Sequence, residues 1–250
     1  MNRRNFITAA MATAASMAVN TSIAGTAVPR IKAIGFDGLA LFDPHPVLAT
    51  LSAISPGDSP AFAARWRDKV FEYTWLRTLT NSYVEFPVIA DDALQFIADE
   101  RKVRVTDAQR NQLKVALMSM KAWPDVAPAL RQLKQQGLIL APLNDFSIPM
   151  LEASIRNSDL EGAFEKLLST DLVKAYKPDP RAYQMATSAF GLHREETAFV
   201  AFAGWDAVGA KSFGYRTIWI NRSGAPAEHL AVEPDAVASN FQAISSFVGL

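Results

Sequence analysis

The segment IKAIGFD, residues 31–37, is a short apolar run that ends on an acidic residue. Apolar runs of this length, bounded by polar residues, are typical of buried strands. Similar runs alternate with amphipathic helical patterns further along the chain, at residues 138–143, 166–169, 197–203 and 217–220. Strands that alternate with helices predict an α/β fold, in which helices cover a parallel sheet.

The chain between residues 46 and 123 carries helical patterns without further strand patterns. We therefore predict that residues 46–123 form an inserted helical domain. The core is predicted to consist of residues 28–45 and 124–250. Pro44 and Pro124 lie at the two changes of pattern and suit short hinges between these parts.

Local signals mark the ends of several predicted helices. Ser59-Pro60 and Thr106-x-x-Gln109 are typical helix starts, the second as a capping box. Three glycines follow predicted helices and suit left-handed C-caps: Gly137, Gly191 and Gly214. Four apolar residues of the insert recur at helical spacing, which predicts core packing: Phe62, Trp66, Val70 and Tyr73.

Composition and charge argue against several classes of function. The 250 residues are 50% hydrophobic, which is enough to bury a full core. Lys and Arg number 25, as do Asp and Glu, so no excess positive charge is available for a nucleic acid or an anionic membrane. The absence of cysteine excludes disulfides, thiolate metal sites and a cysteine nucleophile. The 3 histidines lack metal-ligand spacing, so carboxylates must carry most of any chemistry.

Residues 1–27 are predicted to be an export signal. Arg3 and Arg4 precede Asn5-Phe6-Ile7 and an uncharged run that ends in small residues. This arrangement resembles a twin-arginine signal and predicts a periplasmic location. The apolar run at residues 6–19 is shorter than the ~20 residues that a membrane-spanning helix needs.

Polar residues follow the predicted strands at the points where ligands bind in parallel sheets. Asp37 ends the first run, Asn144 and Asp145 follow the second, Lys177 comes after the third, and Asp206 follows the fourth. A carboxylate at a strand end can form a covalent ester, a lysine stabilises its ionised form, and a second carboxylate can deprotonate water. We expect these residues to lie in one cleft and to support hydrolysis.

Four segments of the chain carry motifs of one enzyme superfamily. FDGLALFD (36–43), YKPDPRAY (176–183) and FVAFAGWDAVGAKSFG (199–214) resemble the first, third and fourth motifs of the haloacid dehalogenase superfamily. WRDKVFEYTWLR (66–77) is similar to the helical cap of type II L-2-haloacid dehalogenases. The resemblance runs from about residue 31 to the C-terminus. It implies a Rossmann-like, doubly wound core with an inserted helical cap.

The resemblance also implies a reaction and the residues that perform it. Short-chain L-2-haloalkanoic acids would be hydrolysed to D-2-hydroxy acids through an aspartyl ester, without a metal or cofactor. Asp37 would be the nucleophile, Lys177 its charge partner, Arg67 the group that receives the halide, and Asp206 the residue that positions water. The implied substrate-binding residues are Leu39, Phe71, Phe86, Asn144, Asp145, Tyr183 and Trp205.

The chain departs from the family's motifs in three places. Its first motif is one residue shorter and has Ala40 and its neighbours where a hydroxyl is usual. The usual Ser-Asn of the second motif is Asn144-Asp145, and the usual serine and asparagine of the fourth are Ala201 and Ala203. These departures keep a second function open, a relative with altered or lost catalysis that binds a small carboxylate.

A magnesium-dependent phosphatase is less well supported, because Leu39 stands where such enzymes carry an acidic proton donor. We expect a small 2-haloacid as the partner, with neither a nucleic acid nor, in the mature form, a membrane. Aromatic-rich cap helices could supply a homodimer interface.

Overall fold

The computed structural model describes residues 30–57 and 59–250, so the predicted export signal lies outside the described residues. The strands are β1 (Ala33–Phe36), β2 (Ile139–Asn144), β3 (Leu168–Ser169), β4 (Thr197–Ala201), β5 (Arg216–Ile220) and β6 (Ala236–Ala238). The helices are α1 (Gly38–Leu41), α2 (His45–Ile54), α3 (Ser59–Leu79), α4 (Phe86–Arg101), α5 (Asp107–Met118), α6 (Val126–Gln135), α7 (Ile148–Arg156), α8 (Pro180–Phe190), α9 (Gly204–Phe213) and α10 (Ala243–Phe247).

The six strands form one sheet in the order β3-β2-β1-β4-β5-β6, and every neighbouring pair is parallel. The central strand β1 pairs with β2 on one side and β4 on the other, with Phe36 opposite both Pro142 and Val200. The carboxyl ends of these three strands therefore lie side by side, where the order reverses around β1. The predicted α/β fold with a doubly wound parallel sheet is confirmed.

Two apolar clusters lie on opposite faces of the sheet, because side chains alternate along each strand. Phe36 and Val200 belong to the larger cluster, which continues into the helical insert through Ile89 and Leu94. The smaller cluster lies under α8 and α9 and contains Phe199. A shared apolar cluster thus packs the insert against the sheet directly above the end of β1.

The predicted strands are present, with differences at their ends. The first begins at Ala33, and β4 stops at Ala201 because Ala203 already caps α9. The sequence analysis missed β6, an edge strand of three residues whose central Val237 is 58% exposed. So short a strand with an outward-facing apolar residue lacks the buried run that identified the others.

The region from residue 46 to 123 is helical, with α2 to α5 as its helices. The capping box at Thr106 and Gln109 is confirmed, and Gly191 and Gly214 are left-handed C-caps of α8 and α9. Gly137 has a φ of +79° and lies just beyond the C-cap of α6. The domain boundaries stay a prediction. Within the described residues, no helix is both long and apolar enough to span a membrane.

Candidate active site

A small pocket lies where β1, β2 and the start of α9 meet. Asp37 follows β1, and its backbone N–H donates to the carbonyl of Val200 in β4 at 2.9 Å. Asn144 ends β2, Asp145 follows it, and Asp206 lies in the first turn of α9. Asn144, Asp145 and Asp206 line one pocket together with Asp37. The structure therefore brings together the strand-end residues that the sequence singled out.

The Asp37 carboxylate is held from two sides. Asp37 is the N-cap of α1, and its Oδ1 accepts the backbone N–H groups of Leu39 at 2.7 Å and Ala40 at 3.4 Å. Its Oδ2 accepts a hydrogen bond from Nζ of Lys177 at 2.5 Å. Hydrogen bonds from backbone N–H groups and from a cation both favour an ionised carboxylate. These contacts orient the Asp37 carboxyl group at the floor of the pocket.

The Lys177 ammonium lies between two carboxylates. Its Nζ donates to Asp37 and, at 2.8 Å, to Oδ2 of Asp206, and the side chain is fully buried. Burial alone would lower the pKa of Lys177, but the adjacent Asp206 and Asp37 carboxylates outweigh burial and raise it above its ordinary value. Lys177 therefore remains a cation throughout the neutral pH range.

Asp206 is fixed by a tyrosine on its other side. The hydroxyl of Tyr183 donates to Oδ1 of Asp206 at 2.7 Å, and both residues are buried. Burial raises the pKa of Asp206 to about 6, against the lowering effect of Lys177. Gly209 permits this arrangement, because a Cβ there would lie 2.4 Å from the Tyr183 hydroxyl. The Tyr183 hydroxyl thus orients the Asp206 carboxylate, and Tyr183 does not line the pocket around Asp37; its role in substrate binding stays a prediction.

Asp145 is a third carboxyl group of the same cluster. It is 5% exposed, and its Oδ1 accepts the backbone N–H of Lys177 at 3.1 Å. Burial raises the pKa of Asp145 to about 7, partly offset by Lys177 and reinforced by Asp206 and Asp37. Near neutral pH a substantial fraction of Asp145 is therefore protonated.

Asn144 presents an unpaired donor next to the nucleophile. Its Oδ1 accepts the backbone N–H of Phe146 at 3.0 Å, while its buried Nδ2 has no hydrogen-bond partner among the described residues. A Cβ at Gly38 would lie 1.8 Å from that Nδ2, so only glycine fits after Asp37. A buried donor without a partner is costly, so the Asn144 amide is open to an acceptor on a ligand in the pocket.

Apolar side chains form the remaining walls. Phe71 of α3 and Phe86 of α4 line the pocket from the insert, and Trp205 of α9 contacts Phe71 with ring centroids 5.2 Å apart. Phe146 and Phe202 also line it, although the sequence analysis did not single them out. Phe146 directly follows Asp145, and Phe202 directly follows the last residue of β4. Their position just after a strand was the signal that could have identified them.

Arg67 pairs with an acidic neighbour on its own helix. Its side chain is 53% exposed, and its guanidinium donates to Oδ1 of Asp68 at 3.0 and 3.2 Å. It lines an adjoining cavity without lining the pocket around Asp37. The predicted role of Arg67 as halide acceptor stays a prediction.

The adjoining cavity has a volume of about 90 Å³ and lies between the sheet and the insert. The two spaces adjoin, because five residues line both of them: Leu39, Phe71, Phe86, Phe146 and Phe202. The other apolar residues that line the cavity are Pro44, Val47, Leu48, Trp66, Val70, Leu117 and Met120. The arrangement places an apolar space beside the Asp37 carboxyl group, which suits a small ligand with an alkyl part.

Comparison with known proteins decides the family. The profile of the family described as haloacid dehalogenase-like hydrolases matches residues 26–214, a range that contains every candidate site residue. The chain belongs to the haloacid dehalogenase-like hydrolases.

Similar proteins of this family are dehalogenases. The chain is 39% identical to the (S)-2-haloacid dehalogenase of Pseudomonas sp. strain YL, over 86% of this chain and 93% of that protein. It is 36% identical to the haloacetate dehalogenase H-2 of Moraxella sp. strain B, over 88% of this chain and 99% of that protein.

Solved structures agree with these sequence relationships. The crystal structure of the L-2-haloacid dehalogenase RSc1362 superposes with a TM-score of 0.84 and 34% identity, over 88% of this chain and 100% of that one. The L-2-haloacid dehalogenase of Xanthobacter autotrophicus with chloropropionic acid covalently bound gives a TM-score of 0.79 and 27% identity, over 87% of this chain and 98% of that one.

In this haloacid dehalogenase-like hydrolase, Lys177 is the one buried cation among the described residues that contacts Asp37 and Asp206. Among the described residues, no group of three or more His, Asp or Glu side chains is arranged to hold a metal ion. The polar side-chain groups at this site, among the described residues, are the Lys177 ammonium, the Asn144 amide and the carboxyl groups of Asp37, Asp145 and Asp206.

Proposed function

We propose that this chain hydrolyses the carbon–halogen bond of short L-2-haloalkanoic acids and releases D-2-hydroxy acids. The observation that carries the proposal is the Asp37 carboxylate, which backbone N–H groups and Lys177 hold at the floor of a pocket with apolar walls. An ionised carboxylate with little water around it is a strong nucleophile for a saturated carbon. The dehalogenases that resemble the chain support this reaction.

In the first step, an oxygen of Asp37 attacks C2 of the substrate while the halide leaves with the bonding electrons. Attack from the side opposite the halide inverts the configuration at C2. The carboxylate charge of Asp37 is lost as the ester forms, and one halide ion appears in its place. Lys177 remains a cation during this step, and it now balances Asp206.

In the second step, water adds to the carbonyl carbon of the Asp37 ester and the acyl–oxygen bond breaks. Asp206 accepts one proton of this water, since at neutral pH a group with a pKa of about 6 is mostly ionised, and returns it to the leaving oxygen of the hydroxy acid. The other proton of the water is released as the Asp37 carboxylate forms again. Cleavage at the carbonyl carbon leaves C2 untouched, so the inversion of the first step persists. The hydroxy acid, a halide ion and one proton are the products.

Halide release tests the proposal directly. We would assay L- and D-2-chloropropanoate with protein lacking residues 1–27, in the presence of EDTA, with Asp37→Asn as the control. We expect chloride from the L-enantiomer only, with no effect of the chelator and no turnover by the variant. Turnover by Asp37→Asn at the parent rate would contradict the nucleophile assignment.

A second candidate is a relative that binds a small carboxylate with altered or lost catalysis. Ala203 lines the pocket and Ala201 ends β4 beneath it, so neither position supplies a hydrogen bond to substrate or water. Chloride release from neither enantiomer, together with binding of propanoate, would favour this candidate. Phosphate release from p-nitrophenyl phosphate with magnesium would instead indicate a phosphatase.

We also propose that residues 1–27 direct the folded chain to the periplasm. The support is the sequence alone, with Arg3 and Arg4 before an apolar run that ends in small residues. Replacing both arginines with lysine is expected to retain the protein in the cytoplasm, as measured by cell fractionation. Periplasmic protein from the double variant would contradict this route.

A homodimer through the cap helices is a further proposal. Leu76 and Leu79 of α3 are 47% and 80% exposed, and Val88 of α4 is 46% exposed. Exposed apolar side chains of this kind are typical of association surfaces. Light scattering of the parent protein is expected to give twice the chain mass, and Leu79→Glu is expected to give the monomer. A monomeric parent protein would refute the proposal.

A further inference from the structure

The pocket around Asp37 contains more negative charge than the adjacent lysine balances. Asp37, Asp145 and Asp206 all line it, while no basic side chain of the described residues does, and the one buried ammonium behind it is that of Lys177. If all three carboxyl groups were ionised, the cluster would carry two uncompensated negative charges before any ligand arrived. A carboxylate substrate would add a third in a site with little water to screen it.

Two of the three carboxyl groups accept several hydrogen bonds, one of them from the Lys177 ammonium. Asp37 accepts two backbone N–H groups and the Lys177 ammonium. Asp206 accepts the same ammonium and the Tyr183 hydroxyl. Asp145 has, among the described residues, one hydrogen bond, from the backbone N–H of Lys177. Fewer donors stabilise its charge, so it is the group on which a proton costs least.

We propose that Asp145 takes up one proton whenever the pocket binds an anionic substrate, so that substrate and proton enter together. This inference deepens the proposed function and rests on it for the negative charge of the substrate. In the protonated form, the Asp145 hydroxyl becomes a hydrogen-bond donor in the pocket that Asn144, with its unpaired Nδ2, also lines. The end of β2 then offers two neutral donors to an anion in place of one donor and one repelling charge.

The pKa of Asp145 agrees with this geometry, because burial raises it to about 7 and places its titration near neutral pH. The neighbouring tyrosines do not compete for the proton, since burial raises the pKa values of Tyr176 and Tyr183 above the ordinary value. The charged and titratable groups that face Asp145 or the adjoining cavity are Asp37, Tyr176, Lys177, Tyr183, Asp206 and, from α3, Arg67.

Calorimetric titration with propanoate tests the inference without any turnover, because propanoate has the charge of the substrate and no halogen. Binding would be measured at pH 8 in phosphate and in Tris, whose different ionisation heats report the number of protons taken up. We expect close to one proton per propanoate, and an affinity that weakens about tenfold per pH unit above the pKa of Asp145. Propanamide, the uncharged analogue, is expected to bind without proton uptake.

Asp145→Asn keeps the shape of the side chain and removes its titration. We expect this variant to bind propanoate without proton uptake and with an affinity that does not change between pH 6 and 8. The matched control is Asp99→Asn on the exposed face of α4, where the carboxylate accepts only from Gln95 among the described residues, and it should behave as the parent protein. The parent measurement stands on its own even if Asp145→Asn folds poorly.

Two results would overturn the inference. The first is propanoate binding by the parent protein with no proton uptake, and the second is undiminished uptake by a folded Asp145→Asn variant. Chloride release from L-2-chloropropanoate separates this inference from the proposed function. Release with a pH-independent KM would refute the proton coupling alone, whereas proton-coupled propanoate binding without any release would refute the dehalogenase assignment alone.

Discussion

Replacing Lys177 with methionine removes the one buried cation of the pocket while nearly preserving the volume of the side chain. Lys177 is completely buried and donates to Asp37 at 2.5 Å and Asp206 at 2.8 Å. The variant leaves both carboxylates in place without their shared partner. Breaking a buried ion pair from one side costs about 3–5 kcal/mol, because the remaining charge is left desolvated. For a chain of this size that cost corresponds to a drop in Tm of roughly 6–20 °C.

The deficit of Lys177→Met should grow with pH. Burial raises the pKa values of Asp206 to about 6 and Asp145 to about 7, and Lys177 lowers both. Without the lysine, both values rise further above those of the unfolded chain. A carboxyl group with a raised folded pKa contributes stability that is complete below its unfolded pKa, near 4, and is lost as pH rises through the folded pKa. We therefore expect a small deficit at pH 5 and a large one at pH 8.

Thermal and urea unfolding of parent and variant at both pH values provide the measurement. Lys134→Met is the matched control, because Lys134 is 44% exposed and pairs with Glu165 at 3.2 Å on the surface. Such an exposed pair contributes about 0–1 kcal/mol. The double variant Lys177→Met/Asp206→Asn should recover part of the loss by removing an uncompensated carboxylate. A cost for Lys177→Met no larger than that of Lys134→Met at pH 8 would refute the charge argument.

Three further substitutions test the cavity, the support of Asp206 and a helix start. Met120→Phe narrows the apolar cavity, so kcat/KM should fall more for 2-bromohexanoate than for 2-bromopropanoate; equal losses would place the alkyl chain elsewhere. Gly209→Ala puts a Cβ 2.4 Å from the Tyr183 hydroxyl and should cost about 1–3 kcal/mol in urea unfolding, and an unchanged stability would contradict the close contact. Thr106→Ala removes the N-cap of α5 and should cost about 1 kcal/mol, which the same urea measurement would detect; a neutral effect would contradict the capping box.

The parts of the fold that follow from local rules could be predicted from the sequence. The run at residues 31–36 identified β1, and the Thr106 capping box identified the start of α5, because each depends on a few adjacent residues. The strand β6 could not be predicted in this way. It owes its conformation to pairing with β5, where Trp219 lies opposite Val237, rather than to an apolar pattern of its own.

The candidate site also contains residues that could be predicted from the sequence and residues that could not. Asp37 and Asp206 were identifiable because each directly follows a strand signal or lies in a recognisable motif. Met120 lines the adjoining cavity because of the way α5 and the following loop pack over the sheet. The residues next to Met120 in the sequence do not indicate this packing. The pairing of Arg67 with Asp68 could not be predicted either, because the sequence does not specify which of several acidic neighbours a guanidinium contacts.

The departures from the family's motifs have unequal consequences in this structure. The loss of a hydroxyl at Ala40 leaves the backbone N–H groups that hold Oδ1 of Asp37, and these do not depend on the side chain. Ala203, by contrast, leaves one wall of the pocket without a side-chain donor. At the end of β2, Asn144 and Asp145 are the polar side chains that line the pocket, and Asp145 stands where the family carries a neutral amide. The protonation of the Asp145 carboxyl group decides whether this end of the pocket attracts or repels a carboxylate. The pH dependence of binding is therefore the property most sensitive to the departures from the family's motifs.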